Sequence, residues 1–442
     1  MIVLYVAPII IVLNMIIHPS NANSVLWIKY IYLNLELSSE GDEKMNDKIK
    51  PKKNLGQATT TVTSGRVVQD YFGFVNPPVY HGSTVLYPTA EAFRAHDAPY
   101  VYGSKQTPTS QSLECAIATL ERADGCHLTG CGRSAILLAL LSVLETGDHL
   151  LLIDNVYRPT RNIADNFLKK FGVETTYFDP NIGAGIKNLM RENTKAVFVE
   201  CPGSQTFEMS DVPAIAAAAK QQGAFTLIDN TWGTPLYFKP FEHGIDISIH
   251  AATKYIVGHS DAMLGAVTAV GEAWDAVAQT YDMLRLNAGV DDVYFGQRGI
   301  RTMEVRLARQ MKSGITIAEW LSERPEVYRV LHPALPSTPG HDIWKRDFTG
   351  ASSLFSILLH ERNETAVNAF LNALNLFGMG ASWGGYESLA IPFDPASYRT
   401  ATKWEHSGSC IRIHIGLENV EDLIDDLEEG FIALNSAASA DK

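Results

Sequence analysis

From about residue 126 to residue 270 short apolar runs rich in β-branched residues recur at regular intervals. They are His149–Asp154, Val173–Phe178, Ala196–Glu200, Phe225–Asp229, Ile245–His250 and Ala266–Val270. Helix-like segments separate several of them. Ser134–Leu144 is one, and Thr160–Phe171 sets Ile163, Phe167 and Phe171 at i, i+4, i+8 on one predicted face. A third, Pro213–Lys220, has Ser210 or Asp211 to cap it and Gly223 to close it. Strand–helix alternation of this kind dictates a doubly wound, mostly parallel sheet with helices on both faces. After about residue 300 the pattern changes. Ser352–Leu359, Ala381–Pro392 and Cys410–Ile415 read as a short sheet, and Val420–Leu434 as an amphipathic acidic helix. That is a smaller C-terminal α+β domain.

Ligands of such sheets lie beyond the carboxyl ends of the strands, and several chemistry-bearing residues fall there. Asp229 closes one strand. Lys254 follows the next, in the stretch HAATKYIVGH at 250–259. Tyr157 follows the strand that ends at Asp154, and Gly130-Cys131-Gly132-Arg133-Ser134 opens the first long helix. Free N–H groups and the dipole at that helix start favour a phosphate.

An ammonium after an apolar strand needs a partner or must lose its charge. A pocketed lysine can form an imine with an aldehyde. An aldehyde cofactor with a phosphate and a ring nitrogen would use all four groups: the imine on Lys254, the ring nitrogen on Asp229, the ring face on Tyr157 and the phosphate on Gly132. That cofactor is pyridoxal 5'-phosphate.

Two rivals explain less. Gly130-Cys131-Gly132-Arg133-Ser134-Ala135 fits a dinucleotide fingerprint, with Asp148 eighteen residues past Gly130. No clear strand precedes it beyond Cys126–Thr129, and it leaves Lys254 without a role. Gly258-His259-Ser260-Asp261-Ala262 lacks the second glycine of a nucleophile elbow.

A net charge of −13 and the absence of any long basic run argue against nucleic acid as a partner. Five cysteines without a Cys-x-x-Cys pair suggest reduced thiols, and with them a cytoplasmic protein, rather than a metal or disulfide framework. The first 44 residues look foreign to the rest. Met1 to Ile17 is almost wholly apolar and the first Lys or Arg is Lys29, so the segment lacks the charged start of a secretory signal. Met45 is the more natural start, and 1–44 is expected to be a non-native or disordered extension. A membrane anchor is the rival reading, although the apolar run falls short of about 20 residues.

Ala252-Thr253-Lys254-Tyr255, with Gly258-His259-Ser260-Asp261 behind it, resembles the Cys/Met-metabolism family of pyridoxal-phosphate enzymes. The resemblance runs from about Thr63 to the C-terminus. Glu200-Cys201-Pro202-Gly203-Ser204, Trp344-Lys345-Arg346-Asp347-Phe348 and Ser382-Trp383-Gly384-Gly385-Tyr386 are similar to the β-lyase branch rather than the γ-lyases or synthases.

The resemblance implies the aspartate-aminotransferase-like architecture known as fold type I. The expected parts are an N-terminal arm over 45–106 that contacts a neighbouring subunit, a cofactor-binding α/β domain over 107–300 and a C-terminal domain over 301–442. It implies Lys254 as Schiff-base lysine and proton shuttle, Asp229 on the ring nitrogen, Tyr157 stacked on the ring, and Gly132, the Arg133 backbone and Thr253 at the phosphate. Tyr102 would reach the phosphate of the neighbouring subunit, so a homodimer is required, and pairing into a homotetramer is expected. Arg412 with Ser382 would clamp the α-carboxylate of a small amino-acid substrate, with Trp383 and Tyr157 beside it. Its reaction would be β-elimination from a sulfur amino acid, with release of a thiol, pyruvate and ammonia. Open alternatives are γ-elimination or replacement, a broader cysteine-S-conjugate lyase, and a regulatory protein that merely binds the cofactor.

Three positions depart from the family pattern. Ser104 stands where an arginine usually binds phosphate, Arg133 where an uncharged residue follows the glycine, and Ala251 where many relatives carry serine. Arg133 is expected to compensate for the missing arginine, or else to point to solvent and leave the phosphate more weakly held.

Overall fold

The computed structural model describes residues 2–6, 9–13 and 55–440. Met1–Asn46 and Asp47–Lys442 form separate compact units. In the first, β1 (Ile2–Val6) and β2 (Ile9–Leu13) pair antiparallel from Ile2↔Leu13 to Val6↔Ile9. The remainder of the expected 1–44 extension, with Met45, lies outside the described residues. Among the described residues, no helix is long and apolar enough to cross a membrane.

The second unit is organised by its apolar strands. β3 (Gly125–Thr129), β4 (His149–Ile153), β5 (Glu174–Phe178), β6 (Thr194–Glu200), β7 (Phe225–Asp229), β8 (Ile247–His250) and β9 (Gly265–Ala269) form one sheet in the order β3-β9-β8-β7-β6-β4-β5. The five strands β4 to β8 are mutually parallel, and β9 runs antiparallel to both β8 and β3. Helices cover both faces, so every residue of β4 is buried. Burying each of its leucines stabilises the fold by about 1.5–3 kcal/mol. The chain order reverses between β4 and β6, so their carboxyl ends flank a crevice.

The smaller sheet is antiparallel, in the order β10 (Val327–Leu331), β11 (Leu354–Leu359), β13 (Cys410–His414), β12 (Leu389–Phe393). The sequence pointed to three of these strands and missed β10. A 33-residue helix, Val290–Ser322, runs through the boundary expected at 300/301. Its Arg306 Nη2 donates to Tyr255 O at 2.8 Å and its Gln310 Nε2 to Gly385 O at 2.7 Å. One rigid rod therefore pins the loops on either side of the crevice.

Three local expectations change. Asp211, not Ser210, caps the helix Val212–Gln221, accepting from Ala214 N at 3.3 Å. The segment predicted as one helix over Thr160–Phe171 is an α-turn, a wider π-turn and a tight 3-10 turn in succession. That drift rotates Ala164 and Leu168 inward and leaves Phe167 and Phe171 exposed. The strand expected from Ala381 begins only at Leu389. Ahead of it the chain loops through Gly384 at φ +86°, a conformation that strands do not adopt and glycine permits.

Candidate active site

One cavity of about 680 Å³ opens at the carboxyl ends of β4, β6, β7 and β8. Its lining includes Gly132, Arg133, Tyr157, Asp229, Thr253, Lys254, Ser382, Trp383 and Arg412. Nine of the ten residues singled out from sequence thus converge. The tenth, Tyr102, is half exposed and lines a separate cavity of about 480 Å³ with Ser104 and Asn287.

Lys254 lies in the turn after β8. Its Nζ donates to Ser382 Oγ at 2.7 Å and sits 5.4 Å from the Trp383 ring centroid. Burial, and then the positive charge of Arg412, lower its pKa to about 8, against the pull of Asp229. A fraction of the amine is thereby neutral at physiological pH, far more than for an ordinary lysine, and the neutral form is the one that accepts a proton.

Asp229 ends β7, 7% exposed. Burial pushes its carboxyl up, and hydrogen bonds from Thr231 pull it back. Those bonds come from Thr231 N at 3.0 Å and Thr231 Oγ1 at 2.5 Å. Its register neighbour on β6 is Glu200, another carboxyl at a strand end. Burial and the Asp229 charge drive Glu200 well above the usual carboxylate range. Two adjacent buried carboxyls oppose each other's ionisation. Glu200 also accepts from Tyr157 N at 2.7 Å, which fixes the backbone that carries the ring. Neither Thr231 nor Glu200 was selected from sequence. Thr231 could have been found by its place two residues past the strand-end aspartate, whereas Glu200 is brought beside Asp229 only by the sheet register.

The phosphate-type feature is the start of the helix Gly132–Leu141, which no side chain caps. A Cβ at Gly132 would lie 2.7 Å from the Ala251 Cβ, so only glycine lets the helix start approach the lysine-bearing turn. Arg133 is exposed at this cavity, and its charge lowers the Tyr157 hydroxyl's pKa while burial raises it above the usual value. The Thr253 hydroxyl donates to Leu264 O at 3.1 Å and accepts from Leu264 N at 2.8 Å, so it is already committed to backbone.

Arg412, on β13, is 6% exposed. Its Nη groups donate to the carbonyls of Gly380 at 3.1 Å, Ala381 at 3.3 Å and Ser382 at 2.9 Å, while its buried Nε has no partner. Burial lowers its pKa to about 10, which leaves it cationic at neutral pH.

The sequence profile of the Cys/Met metabolism PLP-dependent enzymes matches residues 58–432. The chain belongs to this family. The Cys/Met-metabolism relatives include a Rhizobium johnstonii protein, 48% identical over 396 residues that make up 89% of this chain and all of the relative. The cystathionine β-lyase of Escherichia coli is 42% identical over 84% of this chain and 97% of its own length. Among solved structures, MetB of Corynebacterium glutamicum superimposes with a TM-score of 0.80 at 29% identity, covering 87% of this chain and 98% of that one. The fold is accordingly fold type I, and the protein is a pyridoxal-phosphate-dependent enzyme. The cavity fits that cofactor's chemistry: an amine of lowered pKa for its aldehyde, a buried carboxyl group for its ring nitrogen and an uncapped helix start, open only because Gly132 lacks a Cβ, for its phosphate.

Proposed function

We propose that the protein is a cystathionine β-lyase, cleaving the Cβ–S bond of L-cystathionine to homocysteine, pyruvate and ammonia in methionine biosynthesis. The observation that carries the reading is the Lys254 amine, 2.7 Å from Ser382 Oγ in one cavity with Asp229 and Arg412. The names borne by relatives that align over nearly their whole length support it.

Pyridoxal phosphate, held by Lys254, Asp229, Tyr157 and the Gly132–Arg133 helix start, supplies an electron sink for charge developing at Cα. Arg412 binds the substrate α-carboxylate through charge-assisted hydrogen bonds. Ser382 orients the Lys254 amine, and Trp383 closes the cavity beside it. Lys254 takes the Cα proton. As the Cβ–S bond breaks, Lys254 or the Tyr157 hydroxyl returns a proton to the departing sulfur. The released enamine hydrolyses in water to pyruvate and ammonia.

On this reading the enzyme works in the cytoplasm as a homotetramer, a dimer of dimers. Tyr102 of a neighbouring copy reaches the phosphate, across an interface made by the arm over 45–106. Exposed Phe72, Phe74, Leu86 and Phe93 on that arm support a second copy covering it. The deciding assay supplies L-cystathionine to the cofactor-loaded protein and identifies the keto acid. Pyruvate with homocysteine supports β-elimination. Formation of 2-oxobutyrate with cysteine would move the protein to the γ-lyases.

A further inference from the structure

The Lys254 cavity extends beyond the groups already given roles, and its lining there includes Arg158, Gln205, Asp394 and Tyr398. Gln205 lies on the loop after β6 at φ +64°, with Phe207 of the same cavity at φ +52°. Left-handed backbone at residues with side chains clusters where ligands are clamped. The Gln205 carbonyl accepts from Ser356 Oγ at 2.7 Å, and its Oε1 accepts from the Tyr398 hydroxyl at 3.2 Å. Burial pushes the Tyr398 pKa up to about 12, so that hydroxyl stays a donor. The amide NH₂ of Gln205 is left without an acceptor among the described residues.

Arg158, exposed and next to Tyr157, makes no ion pair among the described residues. Asp394 uses Oδ1 to cap the turn Pro395–Ser397 through Ala396 N at 2.9 Å, and its other oxygen is uncommitted. The cavity therefore holds unused donors together with one uncommitted carboxylate oxygen.

This wall is built rigidly. Asp154, fully buried after β4, accepts from Arg161 Nη2 at 2.7 Å, Thr400 N at 3.0 Å, Thr402 N at 2.8 Å and Thr402 Oγ1 at 2.7 Å. Arg399 pairs with Glu208 and donates to Thr206 Oγ1 at 2.7 Å. The strap between β12 and β13 is thereby stitched to the loops after β4 and β6, and its polar groups are positioned before any ligand arrives.

We propose that Arg158, Gln205 and Asp394 form a subsite for the far end of the substrate, and that this end is itself an α-amino acid. The carboxylate goes to Arg158 and the Gln205 amide, the ammonium to Asp394, and Tyr398 positions Gln205. A purely anionic tail meets Asp394, a purely cationic tail meets Arg158, and an apolar tail leaves all three unpaired. A zwitterion alone satisfies the set. The inference rests on the cystathionine reading, whose substrate ends in such a group, and assigns that recognition to named residues.

The test compares kcat/KM for L-cystathionine and S-ethyl-L-cysteine, which share the cleaved bond and differ at the far end. Wild type is expected to favour L-cystathionine. Arg158→Met, Gln205→Ala and Asp394→Asn, the last of which retains the capping oxygen, are each expected to lower the ratio about tenfold or more, the effect of losing one charge-assisted hydrogen bond. Ratios unchanged in all three variants, whether or not both rates fall, overturn the subsite and leave the β-lyase reading intact. A wild type that favours S-ethyl-L-cysteine overturns the cystathionine reading and the subsite with it.

Discussion

The Lys254 amine lies 2.7 Å from the Ser382 hydroxyl, 128 residues away in the chain. Lys254 belongs to the parallel-sheet layer and Ser382 to the loop leading into β12 of the smaller sheet. The base is thus oriented only once the two layers have packed. Gly384, two residues after Ser382, would place a Cβ 3.0 Å from the Lys254 backbone, which shows how closely they do so.

Replacing Lys254 by Ala removes the proposed base. Turnover of L-cystathionine should fall by at least about 10²–10⁴-fold, the contribution of a positioned acid–base group. Pyruvate release by purified protein measures it. A variant that eliminates at the wild-type rate would show that the catalytic assignment is wrong.

A pKa near 8 for Lys254 predicts how apoprotein recaptures its cofactor. Only the neutral amine attacks an aldehyde, so the reconstitution rate should rise about fifteenfold from pH 6.5 to 8 and level off above about pH 9. An unperturbed lysine would keep gaining to pH 10 and beyond. Arg412→Met removes the positive neighbour, stabilises the protonated amine and should move the profile to higher pH. Stopped-flow absorbance reads the rate.

Arg133 lines the cavity, whereas Ser104 lines the separate one with Tyr102. If Arg133 replaces the family's missing cation, Arg133→Met weakens pyridoxal-phosphate binding about tenfold or more, and Ser104→Arg in that background restores it. Titration of apoprotein by fluorescence separates the outcomes. Unchanged affinity in Arg133→Met means that the guanidinium serves solvent.

Behind the strand ends, fully buried Glu121 bonds His250 Nε2 at 2.7 Å, Asn230 Nδ2 at 2.9 Å, Ser248 Oγ at 3.1 Å and the Thr268 hydroxyl. Burial alone would raise its pKa, yet His250 and these hydrogen bonds outweigh that and lower it. A lowered carboxyl stabilises the fold above its ordinary value of 4.5, and the contribution disappears as pH falls through the folded-state value. Glu121→Ala should cost about 3–5 kcal/mol at neutral pH, as for other broken buried pairs. Urea unfolding measures it, and a loss below about 1 kcal/mol would contradict the network's role.

The family match begins at residue 58, and the Rhizobium relative aligns in full to 89% of this chain. Deleting residues 1–44 should therefore leave pyruvate production and the thermal midpoint unchanged. Full-length protein recovered in the membrane fraction of native cells would restore the anchor reading instead.

The alternation of apolar runs by itself determined the parallel sheet, because a strand buried on both faces must be continuously apolar. β4 and β7 appear almost where the sequence placed them, and strand-end chemistry located Asp229 and Lys254. A short strand such as β10, whose Val-Tyr-Arg-Val-Leu pattern is half exposed, carries no comparable signal. Likewise Phe167 and Phe171 kept helical spacing but lost the buried face, because the turn geometry shifted between α, π and 3-10. Tertiary structure alone decided that Glu200 stands beside Asp229, that Ser382 orients Lys254, and that Gln205 and Asp394 share their cavity. Residues far apart in the chain have no local pattern linking them. Their meeting follows from strand order and layer packing, and so does the burial that lowers the pKa of the Lys254 amine.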